Sequence, residues 1–483
     1  MEAKLMHIFT GLWDSKNSGD REDPEPGREA AAAQRLAIES VLAGRNEVSA
    51  SQQEDPLGWL IGIVEQGKIS QEEALLAVTP ELLGEITLNK GNTDSRKAID
   101  TLLKWSDEYR HTPIRIYGDA PENVNRLSTM PASIPDIESF DGYSLLHGPL
   151  SQTSSRVGEL CYAYLDAAES GQMNPVPNGK PNPIPIPGSC ASDTYKTFNK
   201  ASGLPGLCEH LSRRIIGLLE TEYEGLFESL NGSPLSIALI EQNNAVGIGS
   251  LQDMQLEALL RAALRSVRQG GEPRLEILVR NPADVSQFRV TRDWIDGVAE
   301  QTLCGRLRCI PYRVGVLLTV DVSMKPDESQ PRNGHSGEHA SANHMPEVNA
   351  QQIKQASQAA DMTRFADMMI LEVTPIVSAN SEAEERLNSA CANDRRNSAA
   401  ALNGITEAIR CVKPELPIWL ALAEIYPFLD GAAIWENELT GIICPNEAVP
   451  AARIGTARCG ILQCSEQQHS SDALHKHAQQ FPL

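Results

Sequence analysis

From Pro113 onward the chain alternates short apolar runs with longer stretches of helical periodicity, and this alternation restricts it to a parallel α/β architecture. Eight runs read as strands: Ile114–Tyr117, Tyr143–Leu146, Leu235–Ile240, Leu275–Val279, Arg313–Val320, Met368–Val373, Pro417–Leu422 and Thr440–Cys444. Several are apolar almost without interruption, as strands covered on both faces must be. The clearest helix between them is Leu251–Arg268. There Leu256, Leu259, Leu260, Ala263, Leu264 and Val267 form one stripe before Gly270 and Gly271 stop it. Eight strands with intervening helices over about 350 residues predict an α/β fold, a (β/α)8 barrel of TIM type with loop insertions. A doubly wound open sheet is the alternative, but no Gly-rich first turn supports one.

The barrel is expected over residues 113–465, behind an N-terminal helical region and linker at 1–112 and ahead of a polar tail at 466–483. Residues 1–53 are polar and expected to be partly disordered, with one helical stretch at Arg28–Ala43 behind the breaker run Pro24-Glu25-Pro26-Gly27. Trp59, Leu60, Ile63 and Val64 then recur at helical spacing, and Gly67 closes that helix. Ser70 opens S-Q-E-E, a capping box for a helix through Ala77, and Pro80 opens a third short helix. Residues 87–112 are expected to form a helical linker that packs through Ala98, Leu102, Leu103 and Trp105. Insertions are expected at 171–190, where Asn174–Ser189 is too proline-rich for helix, and at 324–352, where Lys325–Glu347 has no periodicity. The second insertion carries His335, His339 and His344, which could chelate a metal, although a polar loop is the plainer reading.

The formal net charge of −22 repels phosphate backbones and anionic lipid, so neither nucleic acid nor membrane is an expected partner. The start of the chain lacks an apolar core with a small-residue cleavage site, and a cytoplasmic location is expected. Ten cysteines are dispersed without any C-x-x-C, which predicts reduced thiols serving as small core residues rather than a metal site.

The segment WLIGIVEQGKISQEEALLAVTPELL, from Trp59 to Leu83, resembles the stretch that follows the nucleotide-binding part of pyruvate phosphate dikinase. No counterpart of that family's phosphohistidine swivelling domain follows. Instead IRIYGDAPENVNR, Ile114–Arg126, is similar to the start of the phosphoenolpyruvate-binding barrel shared by the dikinase and phosphoenolpyruvate synthase. The likeness continues in order through Leu218–Glu241, Leu251–Val279, Ile310–Val320, Leu416–Glu424 and Cys444–Arg453. The resemblance implies a barrel that binds phosphoenolpyruvate through arginines, holds Mg²⁺ on two carboxylates and protonates the enolate with a cysteine. It also implies a homodimer. The catalytic positions are changed here: His147 and Ala238 stand where the family has arginines, Thr319 where it has a magnesium glutamate, and Leu422 where it has the cysteine. Thr374 and Pro375 replace the Asn and Asp of a further motif, and Glu424 persists.

Barrel sites lie at the C-terminal ends of the strands. The polar residues expected there are His147, Glu241, Arg280, Asp321, Glu372 and Glu424. Four carboxylates against one arginine would repel a phosphate-bearing acid unless a cation intervened. Glu241, Asp321 and Glu372 could supply oxygens to such a cation, against the plainer reading of rim carboxylates and ion-pair partners. His147 could be a general base or simply a packed loop histidine. These positions predict a catalytically eroded barrel that binds a protein partner, scaffolds or regulates, with no cofactor. The alternatives are an active phosphoenolpyruvate/pyruvate-type phosphotransferase or lyase with rebuilt ligands, which would need Mg²⁺, and a small-molecule sensor using the mouth.

Overall fold

The computed structural model describes residues 56–78, 93–118, 141–151, 155–172, 205–241, 246–304, 310–320, 350–373, 402–422, 439–462 and 464. The stretches expected at Arg28–Ala43, after Pro80, at Asn174–Ser189, at Lys325–Glu347 and at 466–483 lie outside them, as do Asp321 and Glu424. The chain divides into two compact units, Met1–Ala77 with Leu462–Leu483, and Val78–Ile461.

In the first unit, helices α1 (Pro56–Glu65) and α2 (Gln71–Ala77) flank a turn in which Gly67 has φ 69°. The capping box forms as its residues predict. The Glu73 N–H donates to Ser70 Oγ at 3.1 Å, and the Ser70 N–H donates to Glu73 Oε2 at 2.8 Å. Each of the two groups satisfies a backbone donor that the helix start leaves without a partner.

The second unit is a closed barrel of eight parallel strands in sequence order. They are β1 (Ile114–Gly118), β2 (Tyr143–Leu145), β3 (Pro234–Ala238), β4 (Arg274–Arg280), β5 (Tyr312–Val320), β6 (Met368–Val373), β7 (Ile418–Leu422) and β8 (Gly441–Pro445). Closure is made by β1 on β8, with Ile114 opposite Ile442 and Ile116 opposite Cys444. The (β/α)8 expectation is met, with every expected strand found within a residue or two of its predicted ends.

Side-chain alternation along each strand separates two cores. One set, with Ile114, Ile237, Ile277, Val316, Leu371 and Leu420, packs between the barrel and its helices. The other, with Leu146, Ala238, Leu278, Leu317, Ile370, Ala421 and Ile443, fills the interior. Below this apolar interior, towards the strand N-termini, lies a buried polar group. Arg115 of β1 donates to Glu276 of β4 and to Ser236 of β3, and its guanidinium lies 3.7 Å from the Trp419 ring centroid. Glu276 Oε2 also accepts from the Ser236 hydroxyl. Two glycines make room here. A Cβ on Gly315 would lie 2.5 Å from Met368 Cγ, and one on Gly441 would lie 2.4 Å from the Trp419 ring.

The described helices include α3 (Thr93–Tyr109), α4 (Arg156–Gln172), α5 (Pro205–Leu230), α6 (Ile248–Arg268), α7 (Val285–Leu303) and α8 (Ala350–Thr363). Helix α3 buries Ala98, Leu102 and Leu103 as its periodicity predicts, while Trp105 is half-buried. It belongs to the barrel's unit, where Arg453 pairs with Asp107 and donates to the Leu103 carbonyl at 3.3 Å. Helix α6 ends as Gly270 and Gly271 predict: Gly270 takes φ 90°, and the Gly271 N–H donates to the Ser266 carbonyl at 2.9 Å. Among the described residues, no helix is long and apolar enough to cross a membrane.

The cysteines divide by position. Cys161 and Cys444 are buried as expected, and burial pushes the Cys161 thiol up to about 12. Cys304, Cys411 and Cys464 are exposed instead, a departure from the all-core expectation. Cys304 is outside because it occupies the left-handed C-cap of α7, at φ 48°, where the chain turns away from the helix.

Candidate functional site at the barrel mouth

Four of the six expected mouth residues meet at the C-terminal ends of β2, β3, β4 and β6. Arg280 closes β4 and is the hub. Its Nη1 donates to the Leu146 carbonyl at 2.8 Å and lies 3.1 Å from His147 Nδ1. Its Nη2 donates to Glu372 Oε2 at 2.8 Å, and its Nε lies 3.7 Å from Glu241 Oε2. A guanidinium has no acceptor, so His147 Nδ1 accepts from it and the imidazole proton sits on Nε2. That Nε2 lies 3.9 Å from Glu372 Oε1, beyond direct hydrogen bonding.

The neighbouring strands hold this group in place. On β1, Tyr117 meets the His147 ring edge to face, with centroids 5.6 Å apart, which fixes the plane of the imidazole. On β5, the Thr319 hydroxyl lies 3.3 Å from Glu372 Oε2 and accepts from Asn281 Nδ2 at 3.1 Å. Asn281 follows β4 with a left-handed backbone, φ 41°, and its Oδ1 accepts from the Thr319 N–H at 2.8 Å. Asparagine tolerates that conformation better than most residues. The end of β3 is anchored from α6. Gln255 accepts from the Ile240 N–H at 2.9 Å and donates to the Ala238 carbonyl at 3.1 Å, while Gln252 donates to the Ile240 carbonyl. These two glutamines place the backbone that carries Glu241.

Exposure grades the group: the Glu372 and Arg280 side chains are 11% and 16% exposed, His147 33% and Glu241 56%. The inner pair is therefore nearly enclosed and the outer pair reaches solvent. Tyr117, Asn281, Thr319, Gln252 and Gln255 were not singled out as site residues from the sequence. The signal for Asn281 was present, since an asparagine directly after a buried strand often marks a special turn. The signal for the glutamines was their position on the apolar side of an otherwise stripe-like helix. Thr319 was marked only as the residue at the resembled family's magnesium-glutamate position, and nothing local marked Tyr117; the contacts of both depend on which strands become neighbours.

Chemically, the cluster offers an ion pair, one N–H donor on His147 and carboxylate oxygens. Arg280 is the one cation that the described residues bring to it, and both of its Nη atoms already have protein acceptors. Among the described residues, no group of three or more His, Cys, Asp or Glu side chains could hold a metal ion. No protein-family model matches the chain, and no curated protein matches it.

Proposed function

We propose that this barrel is a catalytically eroded relative of the phosphoenolpyruvate-utilising barrels, retained to bind or to scaffold rather than to transfer phosphoryl groups. The observation that carries the reading is the state of Arg280. Its guanidinium is occupied by Glu372, the Leu146 carbonyl and His147 Nδ1, with Glu241 alongside. A phosphate-bearing acid would have to displace these carboxylates, whose charge repels it. Three other positions support the same reading. Ala238, at the place of a family arginine, is buried in the apolar interior. Thr319 is engaged with Asn281 and Glu372. Leu422, at the place of the proton-donating cysteine, packs in the layer between strands and helices.

The test is calorimetric titration with phosphoenolpyruvate, pyruvate and oxalate, each with and without Mg²⁺. The expected result is no measurable binding by any of them. Magnesium-dependent oxalate binding would favour an active enzyme with rebuilt ligands. A second reading, a small-molecule sensor at the mouth, is favoured by one observation: the His147 Nε2 donor and the Glu372 Oε1 acceptor lie 3.9 Å apart, too far to bond directly.

A further inference from the structure

We infer that the barrel mouth is a site for a neutral, polyhydroxylated small molecule, with one ligand hydroxyl seated between His147 Nε2 and Glu372 Oε1. The inference rests on the reading of the mouth as a binding site without phosphoenolpyruvate chemistry, and names the class of ligand it takes. Because Nδ1 accepts from Arg280, the imidazole proton is on Nε2, which lies 3.9 Å from Glu372 Oε1. Glu372 Oε2 already takes Arg280 and Thr319. Among the described residues, the hydrogen bonds formed by Glu372 all fall on that oxygen, and Oε1 is the oxygen 3.9 Å from Nε2.

The 3.9 Å separation selects what can sit there. An oxygen about 2.8 Å from both atoms sees them at an angle of roughly 90°, close enough to tetrahedral for one hydrogen bond received and one given. A hydroxyl can do both. A carboxylate or phosphate oxygen can accept from Nε2 but meets Glu372 as a like charge. An ammonium can donate to Glu372 but offers the Nε2–H no acceptor. Glu241, more than half exposed beside Arg280, is a second acceptor at the rim. The Arg280 fork and the edge-to-face contact with Tyr117 hold the donor and acceptor in place beforehand, so little ordering is needed on binding.

The test uses the full chain labelled with ¹⁵N-histidine, titrated with D-ribose, with 1,2-dimethoxyethane as a probe lacking hydroxyls, and with oxalate. D-ribose is expected to move the His147 ring-nitrogen signals saturably, while the other two leave them in place. In calorimetry, His147→Phe, which keeps a ring for Tyr117 but removes both nitrogens, should weaken ribose binding about tenfold, the worth of one lost hydrogen bond. Glu372→Gln should weaken it similarly. Should that variant fail to fold with Arg280 stranded, His147→Phe decides alone. Ribose that leaves His147 unmoved, oxalate that shifts it, or undiminished ribose binding by His147→Phe would each overturn the inference. Consumption of phosphoenolpyruvate is a separate outcome that would overturn the underlying reading, whatever ribose does.

Discussion

Asp253 on α6 works against the fold at neutral pH. Burial, reinforced by Glu257, pushes its carboxyl from 3.8 up to about 6, while the hydrogen bond from Trp294 Nε1 at 2.9 Å pulls the other way. A carboxyl raised in the folded state contributes stability that is complete below pH 3.8 and lost as pH rises through about 6. Asp253→Asn keeps an oxygen for Trp294 and removes the charge. It should therefore stabilise the protein by about 1–3 kcal/mol at pH 7 and by almost nothing at pH 4, as read from urea unfolding at both. Arg115 is the opposite case. Arg115→Met would strand Glu276 in the barrel interior and should cost about 3–5 kcal/mol, whereas pairing it with Glu276→Leu should recover much of the loss in the same assay. The sequence carried a hint of this buried group, because Arg115 and Glu276 interrupt otherwise apolar strands. It could not say that they meet, since 161 residues separate them and only closure of the barrel brings β1 and β4 to face each other.

At the scale of elements, the strands and helix caps were legible because their signals are local. A strand enclosed on both faces favours apolar residues at most positions, and a capping box needs only Ser70 and Glu73 three residues apart. The mouth was legible in part for the same reason. His147, Glu241, Arg280 and Glu372 could be placed at strand ends, but their pairing depends on the register between strands. Which glycines the barrel requires is likewise visible only in three dimensions. Gly315→Ala would push a methyl against Met368 and Leu278 and should cost about 1–3 kcal/mol. Gly217, inside α5 with open space at its Cβ, should behave in reverse, with alanine stabilising by about 0.5–1 kcal/mol. Chemical denaturation of the two variants side by side checks both signs.

For the molecule as a whole, the barrel says where a ligand would sit but not what happens to it, since one fold hosts many chemistries. The chemistry is decided by the residues at the mouth. Phosphoryl transfer to or from pyruvate depends on neutralising charge in the transition state, and losing one donor from such a site typically costs about two to three orders of magnitude in rate. On the proposed relationship to the phosphoenolpyruvate-utilising barrels, His147 and Ala238 stand at arginine positions and Thr319 at that of the magnesium glutamate, while Arg280 is held by the protein's own carboxylates. Losses of this kind do not simply add, yet the remaining group has no second cation to make up the deficit among the described residues. The decisive measurement is phosphoenolpyruvate consumption with pyruvate formation, followed on the full chain with Mg²⁺. The account predicts a rate indistinguishable from buffer, with or without a phosphate acceptor. Steady pyruvate formation that is abolished by Glu241→Ala or Glu372→Gln would contradict it.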